Sequence, residues 1–133
     1  MQRSLSVVKK LILLSFISCN ILLTGCTTSP KSNTDPTLDG QHQQQLAALI
    51  AGSEYLKENC QRSDIPAISV LTKTAISEAK NRKWTINDAL SDSLPTDARN
   101  IINRLNQDPA PVAQKCAYFN QSLATFIEDS RRQ

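Results

Sequence analysis

Five side chains stand out as able to do chemistry: the thiols of Cys19, Cys26, Cys60 and Cys116, and His42, the single histidine in 133 residues. A structural zinc site takes four Cys or His ligands at short spacings. One histidine and no Cys-x-x-Cys pair leave that chemistry without ligands. Acid–base catalysis needs a positioned pair of titratable groups. The carboxylates are scattered over polar positions, and His42 lies in a Gln-rich stretch where it is read as solvated. Ser69 and Lys73 stand four apart on a helical stretch, a spacing that arises readily by chance. The chain holds no Gly-x-Ser-x-Gly and no Gly-rich phosphate loop. Catalysis, metals and cofactors are therefore not expected, and the thiols carry the remaining chemistry.

Their surroundings separate them. Arg3, Lys9 and Lys10 precede the apolar run Leu11–Leu23, which is 13 residues long and includes Ser15, Ser18, Cys19 and Asn20. No acidic residue comes before Cys26. A basic region, a short apolar region and small residues before a cut describe a secretory signal. A spanning helix wants about 20 apolar residues, so a retained membrane helix is not expected. Leu23-Thr24-Gly25-Cys26 resembles the lipobox of bacterial lipoproteins. The resemblance implies a diacylglycerol on the Cys26 sulfur, removal of residues 1–25 and acylation of the new amino terminus. Several acyl chains give durable attachment to a membrane. Thr27 rather than Asp follows the cysteine, which in enterobacteria-like species implies the outer membrane.

Removing residues 1–25 takes three of the 15 basic residues and none of the 12 acidic ones, so the formal +3 belongs to the signal. The neutral remainder argues against nucleic-acid binding, which needs a basic face. Cys19 leaves with the signal and Cys26 takes the lipid. Cys60 and Cys116 remain in an oxidising compartment, and one pair has one connectivity, so a Cys60–Cys116 disulfide is expected.

The elements that position these residues are helical. Residues 26–38, polar and with two prolines, are read as a lipidated tether, followed by one domain over 39–133. Leu46, Leu49, Ile50, Ser53, Leu56 and Cys60 recur with helical period. This predicts a first helix from a cap at Asp39 to near Gln61. A second runs from about Pro66 to Arg82, capped by Asp64, with Ile68, Leu71, Ala75, Ile76 and Ala79 inward. A third starts at the Thr85/Asp88 box, with an interruption expected near Pro95, and resumes over Ala98, Ile101, Ile102 and Leu105. A fourth starts at Asp108-Pro109 and carries Val112, Cys116, Phe119, Leu123 and Phe126 on a near-heptad seam. Short connections between amphipathic helices predict a small four-helix bundle. The disulfide sets the end of helix one beside the start of helix four, and their long apolar faces predict an antiparallel overlap. Ala48, Ala51 and Gly52 form a small-residue patch that fits close approach by a helix of this chain or of a partner.

Three segments, "LAALIAGSEYLKENCQRSDIP" from Leu46, "AKNRKW" from Ala79 and "QKCAYFNQSLATFIEDS" from Gln114, are similar to the type II secretion pilotin family that includes PulS and OutS. The resemblance implies a lipidated four-helix protein with Cys60 and Cys116 bridged and no catalysis. It implies binding to the C-terminal segment of the secretin subunit and escort of that subunit to the outer membrane. A partner groove is expected on the early half of helix one, at Leu46, Leu49 and Ile50, with Ile68 and Leu71; each of these residues fits the core equally well. The competing reading is a structural accessory lipoprotein of another envelope assembly.

Overall fold

The structure, a computed structural model, describes residues 36–133, with side chains from Asp39 onward. The expected signal, the lipobox cysteine Cys26 and most of the expected tether lie outside the described residues. Among the described residues the chain is all helical: α1 (Pro36–Asn59), α2 (Ile68–Asn81), α3 (Asp88–Gln107), α4 (Val112–Ser122) and α5 (Ala124–Arg131).

Helix α1 is the central element. It packs most extensively on α3, then on α2 and α4. Leu46, Ile50 and Leu56 of α1, Leu71, Ala75 and Ala79 of α2, Leu94 and Ala98 of α3, and Phe126 and Ile127 of α5 form one core. The buried hydroxyls of Ser53, Thr74 and Ser130 each donate to the carbonyl four residues back, at 2.8, 3.0 and 2.8 Å, so none is orphaned.

Several boundaries differ from the sequence expectation. Helix α1 begins at Pro36, which places Asp39 in its first turn rather than at its cap. Asp64 does not cap α2; its carboxylate is taken by Arg62 and Arg131. Helix α3 is capped by Asn87, whose side chain accepts from Leu90 N–H at 2.8 Å, not by a Thr85/Asp88 box. It runs unbroken through Pro95, because Leu90, Leu94, Ala98 and Ile102 recur every four residues and bury one stripe on both sides of the proline. Asp108-Pro109 forms a turn, with Asp108 Oδ1 accepting from Ala110 N–H at 2.8 Å. A residue before proline disfavours helix, so Ala110-Pro111 delays α4 to Val112. Val112 is consequently 50% exposed and not part of the seam.

The last helix bends. Leu123 has φ −107° and ψ 6°, yet Leu123 N–H still bonds to Phe119 O and Ile127 N–H to Leu123 O. The single expected rod therefore becomes two: α4 lies on α1, and α5 turns away to pack on α2.

The overlap of α1 and α4 is antiparallel. Cys60 meets Cys116 in a disulfide with Cα atoms 5.7 Å apart, and about two turns earlier Gly52 of α1 meets the later residues Phe119 and Leu123. A Cβ on Gly52 would fall 2.6 Å from Leu123 Cδ1 and 3.0 Å from Phe119 Cδ1. The glycine of the small-residue patch thus serves close packing inside the chain. Gly52→Ala is expected to destabilise the domain by about 1 kcal/mol, because overpacking of about 1–3 kcal/mol outweighs a helix-propensity gain of roughly 1 kcal/mol. A melting temperature that rises would show that Leu123 moves aside freely.

Candidate partner-binding site

Helices α3 and α4 both rest on α1 but pack little on each other, so a seam opens between them over one face of α1. Seven residues span about two helical turns and return to one face. On α1 that face carries Gln44, Ala48, Ala51 and Tyr55. Its lower half is covered, with Ala51 and Tyr55 buried; its upper half is open, with Gln44 and Ala48 exposed. The bend at Leu123, which takes α5 to α2, leaves the upper half uncovered.

The open part is a groove of about 430 Å³ floored by Ala47 and Ala48 and walled by Asp97, Asn100, Ile101 and Arg104 of α3. The α3 wall is held in register by Gln43, whose amide donates to Ser93 Oγ at 2.9 Å and to Asp97 Oδ2 at 2.7 Å. Gln43, early in α1, meets Ser93 and Asp97 in the first half of α3, and His42 stacks on Trp84 just ahead of α3, so the two helices start side by side and run parallel. A second hollow of about 270 Å³ follows beyond the end of α3, between Leu105, Ala110, Gln114 and Phe119, with Tyr118 at its rim 65% exposed. Lys115 lines this hollow and is buried. Its ammonium donates to Leu105 O at 2.8 Å and Asp108 O at 2.9 Å and lies 5.6 Å from the Tyr55 ring centroid.

The groove expected from sequence is not assembled. Leu46, Ile50 and Leu71 are 1, 0 and 0% exposed and face the core. Leu49 and Ile68 are half-buried against that same core. The reason is geometric: the apolar stripes of α1 and α2 that carry these residues are taken up by the one core shared by the helices. The open face is the one carrying Ala48. Its signal in the sequence was the small-residue patch, in which Ala48 faces solvent while Ala51 and Gly52 are buried.

His42 stacks on Trp84 at 3.8 Å between centroids and 8° between planes, so it is a packing group. Trp84 is set there by the end of α2: Lys83 adopts φ 59°, and Trp84 N–H bonds to Ala79 O while Lys83 N–H bonds to Lys80 O, a Schellman ending. Ser69 and Lys73 are exposed on α2. Among the described residues no three metal-ligating side chains gather, and no helix is long and apolar enough to cross a membrane.

Two carboxyls have displaced titrations. Burial pushes Glu54 above the usual carboxylate range. Asp64 is lowered to about 2, chiefly by hydrogen bonds from Arg62, at 2.7 and 2.8 Å. Arg62 also donates to Asn120, and Arg131 reaches Asp64, so this cluster ties the α1–α2 loop to α4 and α5. Because the folded chain holds Asp64 below its unfolded value near 4, the contribution is full above roughly pH 4 and is lost as pH falls towards 2. The groups are half exposed, so it is under about 1 kcal/mol. The melting advantage of the natural chain over Asp64→Asn is expected at pH 6 and should vanish at pH 2; an advantage independent of pH would contradict the assignment.

The chain matches the family model of the type II secretion system pilotin lipoprotein (PulS_OutS) over residues 23–128. It is 39% identical over 112 residues to the pullulanase secretion protein PulS of Klebsiella pneumoniae, covering 84% of this chain and 88% of that one. It is 33% identical over 119 residues to the pilotin OutS of Dickeya dadantii (strain 3937), covering 85% and 88%. Its fold is similar to that of a solved pilotin/secretin peptide complex, with a TM-score of 0.64 and 34% identity over 69% of this chain and 95% of that chain. The disulfide-bonded helical domain, with its uncovered seam on α1, belongs to the family of type II secretion system pilotin lipoproteins.

Proposed function

We propose that this chain is a lipid-anchored escort that binds the C-terminal segment of its type II secretin and brings the subunit to the outer membrane. The observation that carries the reading is the open seam: beside α3, and beyond the bend that turns α5 away, α1 offers a groove floored by the small residues Ala47 and Ala48, of which Ala48 is exposed. An amphipathic helix fits such a groove with its apolar face inward. A segment that orders only on binding gives up part of its interaction free energy, which keeps release possible. Lipid on Cys26 supplies the destination, and the domain, beginning at Pro36, supplies the hold on the cargo. No step of this work is chemical, which accords with a family of escorts rather than enzymes.

The test is fractionation of the producing cells. With the natural chain, secretin and escort are expected together in the outer-membrane fraction. With Cys26→Ser the escort is expected soluble in the periplasm and the secretin outside the outer membrane. Secretin that reaches the outer membrane unaltered would overturn the targeting role.

A further inference from the structure

The groove between α1 and α3 carries one charge of each sign on its α3 wall, with the polar Gln44 and Asn100 beside the apolar Ala47, Ala48 and Ile101. Asp97 and Arg104 both line it. They are seven positions apart on α3, about two turns and roughly 10 Å along the axis, with Ile101 between them on the same wall. Asp97 is fixed by the Gln43 amide at 2.7 Å. Arg104 is exposed and has no carboxylate in salt-bridge reach among the described residues, whereas Arg62, Arg82, Arg131 and Arg132 are each paired within the chain. Among the described residues neither charge at the groove has an opposite charge in salt-bridge reach.

From these charges we infer that a helix seated in the groove runs parallel to α3, its amino-terminal turn at Asp97 and its carboxy-terminal turn at Arg104. The inference rests on the escort reading and adds the polarity of the bound segment. A helix carries about half a positive charge on its first N–H groups and half a negative charge on its last carbonyls. In the parallel setting the first turn faces a carboxylate and the last turn faces a guanidinium. The reversed helix would set like charges together at both ends. The effect is confined to the end turns, where the two charges lie, so running beside the parallel helices α1 and α3 costs little. A carboxylate in the last turn of the segment adds a charge-assisted pair with Arg104, for which the guanidinium fork is suited. Together the two ends favour the parallel setting by roughly ten-fold or more. Bound this way, the segment enters at the end of α1 nearer its amino terminus and finishes towards the end that carries Cys60.

The test uses the full chain, isotopically labelled and held in detergent, with a synthetic peptide of the last residues of the same organism's secretin. The peptide carries a nitroxide at one end or the other. The amino-terminal nitroxide is expected to broaden the amides of Gln43 and Asp97, and the carboxy-terminal one those of Arg104 and Leu105. The opposite pattern overturns the polarity and leaves the escort reading standing. Broadening away from α1 and α3 overturns the groove itself, and an absence of binding overturns the escort reading and this inference with it. Arg104→Glu is expected to weaken binding about ten-fold without changing helicity, and a peptide given a lysine in its last turn should recover that loss. Unchanged affinity in Arg104→Glu would overturn the role of Arg104.

Discussion

Replacing both Cys60 and Cys116 with alanine is expected to lower the melting temperature by roughly 15–30 °C. The bridge joins residues 56 apart in sequence. Closing a loop of that length removes about 4 kcal/mol of chain entropy from the unfolded state. For a domain of about a hundred residues, each kcal/mol shifts melting by roughly 4–8 °C. The bridge also sits where α4 begins on α1, next to the close packing of Gly52 on Phe119 and Leu123. Loss of the bridge frees the lower half of the seam first. Melting followed by circular dichroism, with and without reductant, gives the value. A shift of only a few degrees would mean that helix packing alone holds α4 in place.

Lys115→Met is expected to cost about 3 kcal/mol. Lysine in an amphipathic helix is ordinarily solvated, but this one is 9% exposed. Its ammonium donates to Leu105 O and Asp108 O, and the Asp108 carboxylate is 3.9 Å away. The Leu105 carbonyl is among the last of α3, which have no partner within their own helix. A hydrogen bond from a charged donor contributes about 1.5–3 kcal/mol, and a carbonyl left unsatisfied adds to the loss. Methionine keeps the volume and supplies no donor. The urea midpoint should fall by about 1–2 M with little change in slope. A midpoint within a few tenths molar of the natural chain would show that water takes over both carbonyls.

The helices and the bridge were legible in the sequence because each has a local signal. The helical period over Leu46–Cys60 and over Ile68–Ala79 marks α1 and α2 to within a few residues of their observed ends. Two remaining cysteines allow one bridge. Where local rules and packing disagree, packing decided: Pro95 signals a break, yet the buried stripe from Leu90 to Ile102 carries α3 through it. The reverse holds at Ala110-Pro111, where no buried stripe opposes the proline and the helix waits until Val112.

The groove was not legible, because an apolar stripe does not say which neighbour will cover it. Leu46, Ile50 and Leu71 carry the helical period of α1 and α2, and all three are buried in the common core. What leaves Ala48 uncovered is the bend at Leu123, and Leu123 reads as one more position of a regular seam. Lys115 was missed for a related reason. Its partners are backbone carbonyls on another helix, and backbone groups leave no trace in side-chain identity.

The most direct measurement is a calorimetric titration of the full chain in detergent with the C-terminal peptide of the same organism's secretin, set beside Ala48→Arg. Ala48 is exposed on the groove floor, so the substitution fills the seam without touching the core. Saturable binding with a gain of helix is expected for the natural chain. For Ala48→Arg a loss of about a hundred-fold or more is expected at an unchanged melting temperature, the size of a lost central anchor. No binding to the folded, disulfide-bonded chain, or equal binding by Ala48→Arg, would contradict a partner groove on α1.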